Sequence, residues 1–383
     1  MPATSSLTPR SAAPHFIASE IYRASRYGAK HPLSIPRVSL VADLVRALGW
    51  LDETVYRDGP IATPEQLARF HDPAYIAALQ RAERDQTLPE AERRRWNIGA
   101  GGNPIYGEVF RRPATAAGSS LLAADLLADG VAAVHSPAGG THHGRPDRAS
   151  GFCYLNDPVL GILRLLDRGV TPIVYIDLDA HHGDGVEAAF ADDPRVLTIS
   201  LHQEDLWPRT GGIERAQALT AAVNLPVPSG FNDDEFAYVL EAAILPLAAE
   251  HAPAALVLQC GVDGLAEDPL SGLALSNGAY WRALDLLRGL APRLLLLGGG
   301  GYNPYAVARA WTGLWARLNH LDIPGRLPPA GEAVLRAIAW RHRLGRNPPE
   351  AWMTTLADPP RGGPIREPVR AMVRAALAGR AAA

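Results

Sequence analysis

Within residues 176–190, IDLDAHHGDGVEAAF, the polar side chains Asp177, Asp179, His181, His182 and Asp184 follow directly on an apolar run. Burying such groups is costly unless they are paired or bound to a metal. In an extended segment residues two apart point the same way, so Asp177, Asp179 and His181 can converge on one side. Oxygen and nitrogen donors mixed in this way suit zinc or another borderline divalent ion. Gly183 and Gly185 then allow a tight turn into a helix beginning near Val186. Helix capping alone would use one aspartate, and this stretch carries more titratable groups than a cap needs.

Three further clusters have a similar character. In PAGGTHHGRPDRASGFCYLND (137–157), His142 and His143 follow a Gly-Gly turn. The proton equilibrium of histidine lies near neutral pH, so the pair suits acid–base work. Taken alone it is a weak signal, because surface loops carry such pairs by chance. Asp263, in QCGVDGLAEDPLSG, ends another apolar run. A helix cap or turn is the ordinary reading of one such aspartate, and Asp268 competes with it by composition. Finally, LLLLGGGGYN (294–303) puts four glycines before Tyr302. It lacks the Lys-Ser/Thr of a phosphate loop and the spacing of a dinucleotide fingerprint. The alternative is that Gly298 to Gly301 let the backbone pass close to a site and present a tyrosine hydroxyl able to polarise a carbonyl oxygen.

Chemistry of this kind needs a scaffold that gathers distant segments. VAAVH (131–135), PIVYIDLD (172–179), RVLTISLH (195–202), AALVLQCGVD (254–263) and RLLLLGGGGY (293–302) are short continuous apolar runs. Such runs fit strands of a parallel sheet covered on both faces. ATAAGSSLLAADLLADG (114–130), PVLGILRLLDRG (158–169) and DDEFAYVLEAAILPLAAEH (233–251) read as helices between them. The alternation implies a doubly wound α/β sheet, which binds ligands beyond the carboxyl ends of its strands. Every polar cluster falls there, so the four make one candidate site.

The chain has 383 residues, 37 Lys and Arg against 40 Asp and Glu, and a net charge of −3. That balance gives no basic surface for direct nucleic-acid binding. Two cysteines, Cys153 and Cys260, make no disulfide framework, and a cytoplasmic location is expected. No apolar run approaches the roughly 18 residues of a membrane span. Residues 1–19 lack the apolar centre of a signal peptide and read as a disordered lead-in. The main domain is expected over 20–320. Residues 321–383 then form a helical extension, with a helix around 331–344 and another at the end, packed on the domain or forming an oligomer contact.

Together these stretches resemble the zinc-dependent histone deacetylase family, within the arginase/deacetylase superfamily. Within the family the chain is most similar to bacterial acetoin-utilisation deacetylases and acetylpolyamine amidohydrolases. GGTHHGRPDRASGFCYLND, YIDLDAHHGDGVEAAF, QCGVD…DP and GGGGYN fall in the family's order and at about its separations, and HPLSIPRV (31–38) matches its N-terminal segment with Arg37 at the basic position. The resemblance covers roughly residues 20 to 315. It implies an arginase-like three-layer α/β fold, with a central, mostly parallel sheet of about eight strands and helices on both faces.

The resemblance also implies roles. Asp179, His181 and Asp263 match the zinc ligands, a set that also accepts Fe2+. Asp177 and Asp184 match carboxylates that hold His142 and His143, and Tyr302 matches the carbonyl-polarising tyrosine. His143 is expected to take a proton from the attacking water, while which histidine protonates the leaving amine stays open. Gly151 and Phe152 match one wall of a narrow apolar tube, and Trp207 lies where the opposing aromatic belongs. Structural potassium is implied at Asp177, Asp179, His181, Ser200 and Leu201, and again at Phe190, Asp193 and Val196. RRRWNIGAGGNPIYGEVF (93–110) departs from the family. Where the family often has an aspartate gripping the substrate backbone, Glu108 is the only acid. Thr141 and Gly144 beside the histidines also differ from the commoner residues.

The leading expectation is a zinc-dependent amidohydrolase acting on N-acyl-lysine in proteins. An amidohydrolase of small acylated amines such as acetylpolyamines is the alternative, favoured by an acidic rim around the tube. A non-catalytic acyl-lysine binder would be expected to lose a ligand, a histidine or the tyrosine. A manganese ureohydrolase would need more carboxylates.

Overall fold

The computed structural model describes residues 13–28, 30–213 and 221–381. Among these residues eight strands form one sheet: β1 (His15–Ala18), β2 (Tyr56–Asp58), β3 (Ala133–Ser136), β4 (Ile173–Asp177), β5 (Val196–Gln203), β6 (Ala222–Val227), β7 (Ala255–Gln259) and β8 (Leu294–Leu297). Their order is β2-β1-β3-β8-β7-β4-β5-β6, and every pairing is parallel.

The apolar runs are continuous because both faces of the sheet are buried. On one face Val174, Ile176, Leu256, Leu258, Leu294 and Leu296 join the main core with helices Val38–Ala47, Asn277–Leu287 and Pro304–Leu318. On the other, Ile173, Tyr175, Ala255, Val257, Leu295 and Leu297 pack with helices Arg111–Ala128 and Asp157–Asp167. This is the expected three-layer arrangement. A third apolar cluster, around Tyr27, Tyr75, Trp96 and Tyr154, includes Tyr302.

Because all strands run the same way, β3, β8, β7 and β4, neighbours at the centre of the sheet, all end at one edge. Each is followed by one of the four polar clusters. No helix of the described residues is long and apolar enough to cross a membrane.

Some boundaries differ from expectation. His15–Ala18 were assigned to the disordered lead-in but form β1, hydrogen-bonded between β2 and β3; residues 1–12 lie outside the described residues. Four buried positions are too few to show periodicity. The expected helix 233–251 is regular over Asp233–Val239, widens to a π-turn at Leu240–Ile244 and resumes at Leu245–Glu250. Pro246 has no N–H to offer the preceding turn. The helix expected at 331–344 is Pro329–Arg336.

Beyond it the chain is tied to the main core. Arg309 and Asp358 form a buried ion pair at 2.6 Å, Arg366 pairs with the fully buried Glu235 at 2.7 Å, and Val369, Met372, Val373 and Ala376 of the terminal helix Glu367–Ala381 join the core.

Candidate metal and catalytic centre

Asp177 is the last residue of β4, and the chain then turns through Leu178–Gly183 into helix Asp184–Phe190. This turn brings Asp179 and His181 against Asp263, which leaves the sheet after the neighbouring β7. Donor atoms of Asp179, His181 and Asp263 all lie within 4.8 Å of one another, and all three residues are buried. His181 Nδ1 is 2.9 Å from Asp263 Oδ2 and 3.1 Å from Asp179 Oδ1. Main-chain N–H groups aim the carboxylates: Ala180 donates to Asp263 at 2.8 Å and Gly300 to Asp179 at 2.6 Å. A β-carbon at Gly261 or Gly300 would collide with these carboxylates, so glycine is required at both positions.

The electrostatics ask for a cation. Burial opposes a proton on His181, but the charges of Asp263 and Asp179 outweigh it and push its pKa up to about 10. Burial, and then repulsion from Asp179, raise Asp263. A divalent ion would answer the same negative charge with His181 neutral. Two carboxylates and one imidazole fit zinc or iron(II). Among the described residues no other group of three such side chains is close enough to hold an ion.

Beside this triplet stand the two histidines, both buried, with ring centroids 3.9 Å apart. His142 Nδ1 is 2.7 Å from Asp177 Oδ2, and His143 Nδ1 is 2.7 Å from Asp184 Oδ1. Each Nε2 is thereby left as the working nitrogen. The two environments differ. Burial opposes charge on His142, yet Asp177 and then Asp179 push its pKa up to about 9. On His143, burial and then the charge of His142 push the pKa down to about 3, despite Asp184. Asp184 is shared with the Arg145 guanidinium, which dilutes its pull on His143. The shifts therefore favour one positive charge on the pair, carried by His142.

Tyr302 reaches the site at the end of Gly298–Gly301, and its ring stands edge-on to Phe152 at 6.1 Å. Burial, and then Asp263, hold its pKa well above the usual tyrosine value, so the hydroxyl keeps its proton. Gly151 (φ 52°) and Phe152 (φ 68°) take left-handed backbone conformations, and Gly151 lies against the Trp207 ring. Trp207 is 45% exposed, with its ring 4.6 Å from His143 and 6.4 Å from His181.

All eleven expected site residues thus gather at one edge of the sheet. The residues matched to potassium are also grouped: Asp177 and Ser200 are register partners, and Phe190, Asp193 and Val196 share one hydrogen-bonded turn. Asp268 is no member of the triplet; its Oδ2 accepts the Tyr302 N–H instead.

Sequence reasoning missed the supports. Tyr175 donates to Asp177 at 2.6 Å, and Gln259 lies 3.0 Å from both Tyr175 and His142. A polar residue ending an apolar strand was the available signal for Gln259. Tyr175 shares a strand face with Asp177 by alternation. Behind the histidines lies a cavity of about 50 Å³ lined by Tyr22, Tyr27, Arg37, Arg112 and Cys153 among others.

Comparison with known proteins agrees with this fold. The family described as "Histone deacetylase domain" matches residues 31–318. "Histone deacetylase 9" of Arabidopsis thaliana is 36% identical over 310 residues, covering 79% of this chain and 72% of that protein. "Acetoin utilization protein AcuC" of Bacillus subtilis is 31% identical over 355 residues, covering 88% of this chain and 89% of that protein. Among solved structures, an HDAC homologue from Aquifex aeolicus has a TM-score of 0.90 at 38% identity, over 96% of this chain and 99% of that one. The structure of an HDAC homologue complexed with SAHA has a TM-score of 0.90 at 37% identity, with the same coverage.

Proposed function

The chain belongs to the histone deacetylase family, as a deacetylase of its bacterial type, and from that premise we propose that it is a zinc-dependent hydrolase of the amide of N-acyl-lysine in proteins. The observation that carries this reading is the buried Asp179–His181–Asp263 triplet standing beside two histidines, each on its own carboxylate.

Asp179, His181 and Asp263 would hold the ion. Once bound, zinc supplies Lewis acidity, which acidifies water and polarises an amide carbonyl. His143, neutral and oriented by Asp184, accepts the proton of the attacking water at Nε2. Burial disfavours the charged form of His143, and His143 returns the proton to the leaving amine. His142, held at about 9, keeps its own proton and steadies the negative charge of the transition state. Tyr302 donates a hydrogen bond to the oxygen on which that charge develops, an oxyanion-hole role. Gly151, Phe152 and Trp207 wall the tube for the acyl-lysine side chain; burying four methylenes contributes about 3 kcal/mol. Arg37 and Arg112, facing the inner cavity, suit the carboxylate product. Structural potassium at the two matched sets would complete the site. The catalytic domain runs from β1 to about residue 320, with the remainder packed on it.

One observation favours acyl-lysine over acylated polyamines. Beside Phe152 a surface groove runs between residues 27–28 and 30–32 on one side and 99–104 on the other, and its lining among the described residues includes Lys30 and no carboxylate. Lys30 is the only lysine in the chain. A polyamine carries ammonium groups beyond its acylated end, which Lys30 would repel along this groove, while Glu204 and Asp205 are exposed beside Trp207 on the other side.

The test is hydrolysis of an acetyl-lysine peptide beside N-acetylputrescine by purified protein of measured metal content. One zinc per chain and preferred cleavage of the peptide are expected. Lys30→Glu should shift the ratio about 3-fold toward N-acetylputrescine, the scale of an exposed charge. Preferred cleavage of N-acetylputrescine by the unaltered protein would refute the peptide reading, and a protein without divalent metal would refute the mechanism.

A further inference from the structure

Tyr302 is delivered by four consecutive glycines, two of them at φ 138° and 135°. Glycine populates this region freely and loses more conformational freedom on ordering than any other residue. Nothing inside the run fixes where the tyrosine points, so its position must come from outside. Arg37 donates to Gly299 O at 2.6 Å, and Gly300 donates to Asp179 at 2.6 Å. Both bonds hold the run upstream of Tyr302. The bond on Tyr302 itself is its N–H donating to Asp268 Oδ2 at 2.6 Å.

We propose that Asp268 is a positioning residue for the deacetylase reaction, one that sets the Tyr302 hydroxyl over the metal site through the tyrosine's own main-chain N–H. This inference rests on the role proposed for Tyr302. Asp268 is buried, its other oxygen accepts the Leu270 N–H at 2.9 Å, and its own N–H is bonded to Leu265 O at 2.9 Å. The carboxylate is therefore held from two sides and can hold in turn. A second stitch runs alongside, with Asn303 Nδ2 donating to Glu267 O at 3.3 Å. The carboxyl group answers two main-chain N–H groups, those of Tyr302 and Leu270, which an apolar residue here would leave unpaired. The same loop begins at Asp263, so one segment carries a metal ligand and the clamp on the tyrosine.

The experiment is a double-mutant cycle on the metal-loaded protein, using Asp268→Ala, Asp268→Asn, Tyr302→Phe and the paired variants. Misplacing a catalytic group by about 1 Å costs on the order of 100-fold, and losing one oxyanion donor costs about 100-fold or more. Asp268→Ala should lower kcat about 30-fold with KM changed less than about 2-fold, and Asp268→Asn, which keeps one acceptor, should fall between it and the unaltered protein. In the Tyr302→Phe background either change should add less than about 2-fold. Amide exchange of the peptide spanning 294–303 should quicken while metal content stays the same. If Asp268→Ala does not fold, Asp268→Asn carries the cycle.

Effects that multiply fully with Tyr302→Phe, or an unchanged kcat, would overturn the clamp while leaving the tyrosine role standing. An unchanged kcat in Tyr302→Phe alone would overturn both.

Discussion

Replacing Asp177 with asparagine tests the division of labour between the two histidines. Asp177 Oδ2 lies 2.7 Å from His142 Nδ1 in a site closed to solvent, and it is the strongest of the influences that hold His142 charged against burial. The rise of His142 from 6.5 to about 9 corresponds to about 3 kcal/mol in favour of the imidazolium, at about 1.4 kcal/mol per pKa unit. Because the pKa is raised, the active, charged form is present below about 9 and is lost as pH climbs through it. The kcat/KM of the unaltered enzyme should therefore fall on the alkaline side near pH 9. In Asp177→Asn the main support is gone while the shape is kept, and the fall should move to about pH 7 or below. At pH 8 the charged fraction then drops from about nine-tenths to about one-tenth, a loss of roughly 10-fold in rate. The assay is the pH profile of acetyl-lysine peptide hydrolysis, with imidazole resonances in 15N-labelled protein as an independent readout. An alkaline fall that stays near pH 9 in Asp177→Asn, or an unaltered enzyme that holds its rate to pH 10, would refute the assignment of the resident proton to His142.

Chelation should abolish hydrolysis and lower the thermal midpoint, since an ion at about 1,000 times its Kd contributes about 4 kcal/mol; differential scanning calorimetry with and without chelator measures it. Gly151→Ala should lower kcat/KM about 10-fold or more, because the added carbon would overlap Trp207 and reach 2.7 Å from His143 Cδ2; a pairing with Trp207→Ala should recover part of the loss in the peptide assay. Arg366→Ala should cost about 3 kcal/mol in urea denaturation, the low end for a broken buried pair because the Arg366 side chain is 35% exposed while Glu235 is fully buried.

Five of the eight strands were legible because they are continuous apolar runs, and a strand covered on both faces has no polar side to break its pattern. The three that were missed lie toward the sheet's margins or are very short. Tyr56–Asp58 has three residues, His15–Ala18 opens on a histidine and is followed by Ser19 and Glu20, and Ala222–Val227 carries Asn224 and Pro226. Proline is tolerated on an edge strand such as β6, where one side of the ladder is unpaired.

The polar clusters at the strand ends were legible for a related reason, whereas Gly151, Phe152 and Trp207 were reached only through the family resemblance. A buried strand that ends in Asp, His or a glycine run announces that its end does something other than pack. Local pattern reaches no further than that. Gln259 meets Tyr175 and His142 only because β7 lies beside β4, and Asp268 meets Tyr302 only because β8 lies beside β7. The same holds for the charges of His142 and His143. The two are adjacent in the chain and chemically identical, yet folding gives one a pKa of about 9 and the other about 3. Residue types and their spacing, which are local, determined the chemistry on offer and the edge of the sheet that holds it. Strand order and the exclusion of water, which exist only in the folded chain, decided which donor supports which acceptor and which histidine favours the positive charge.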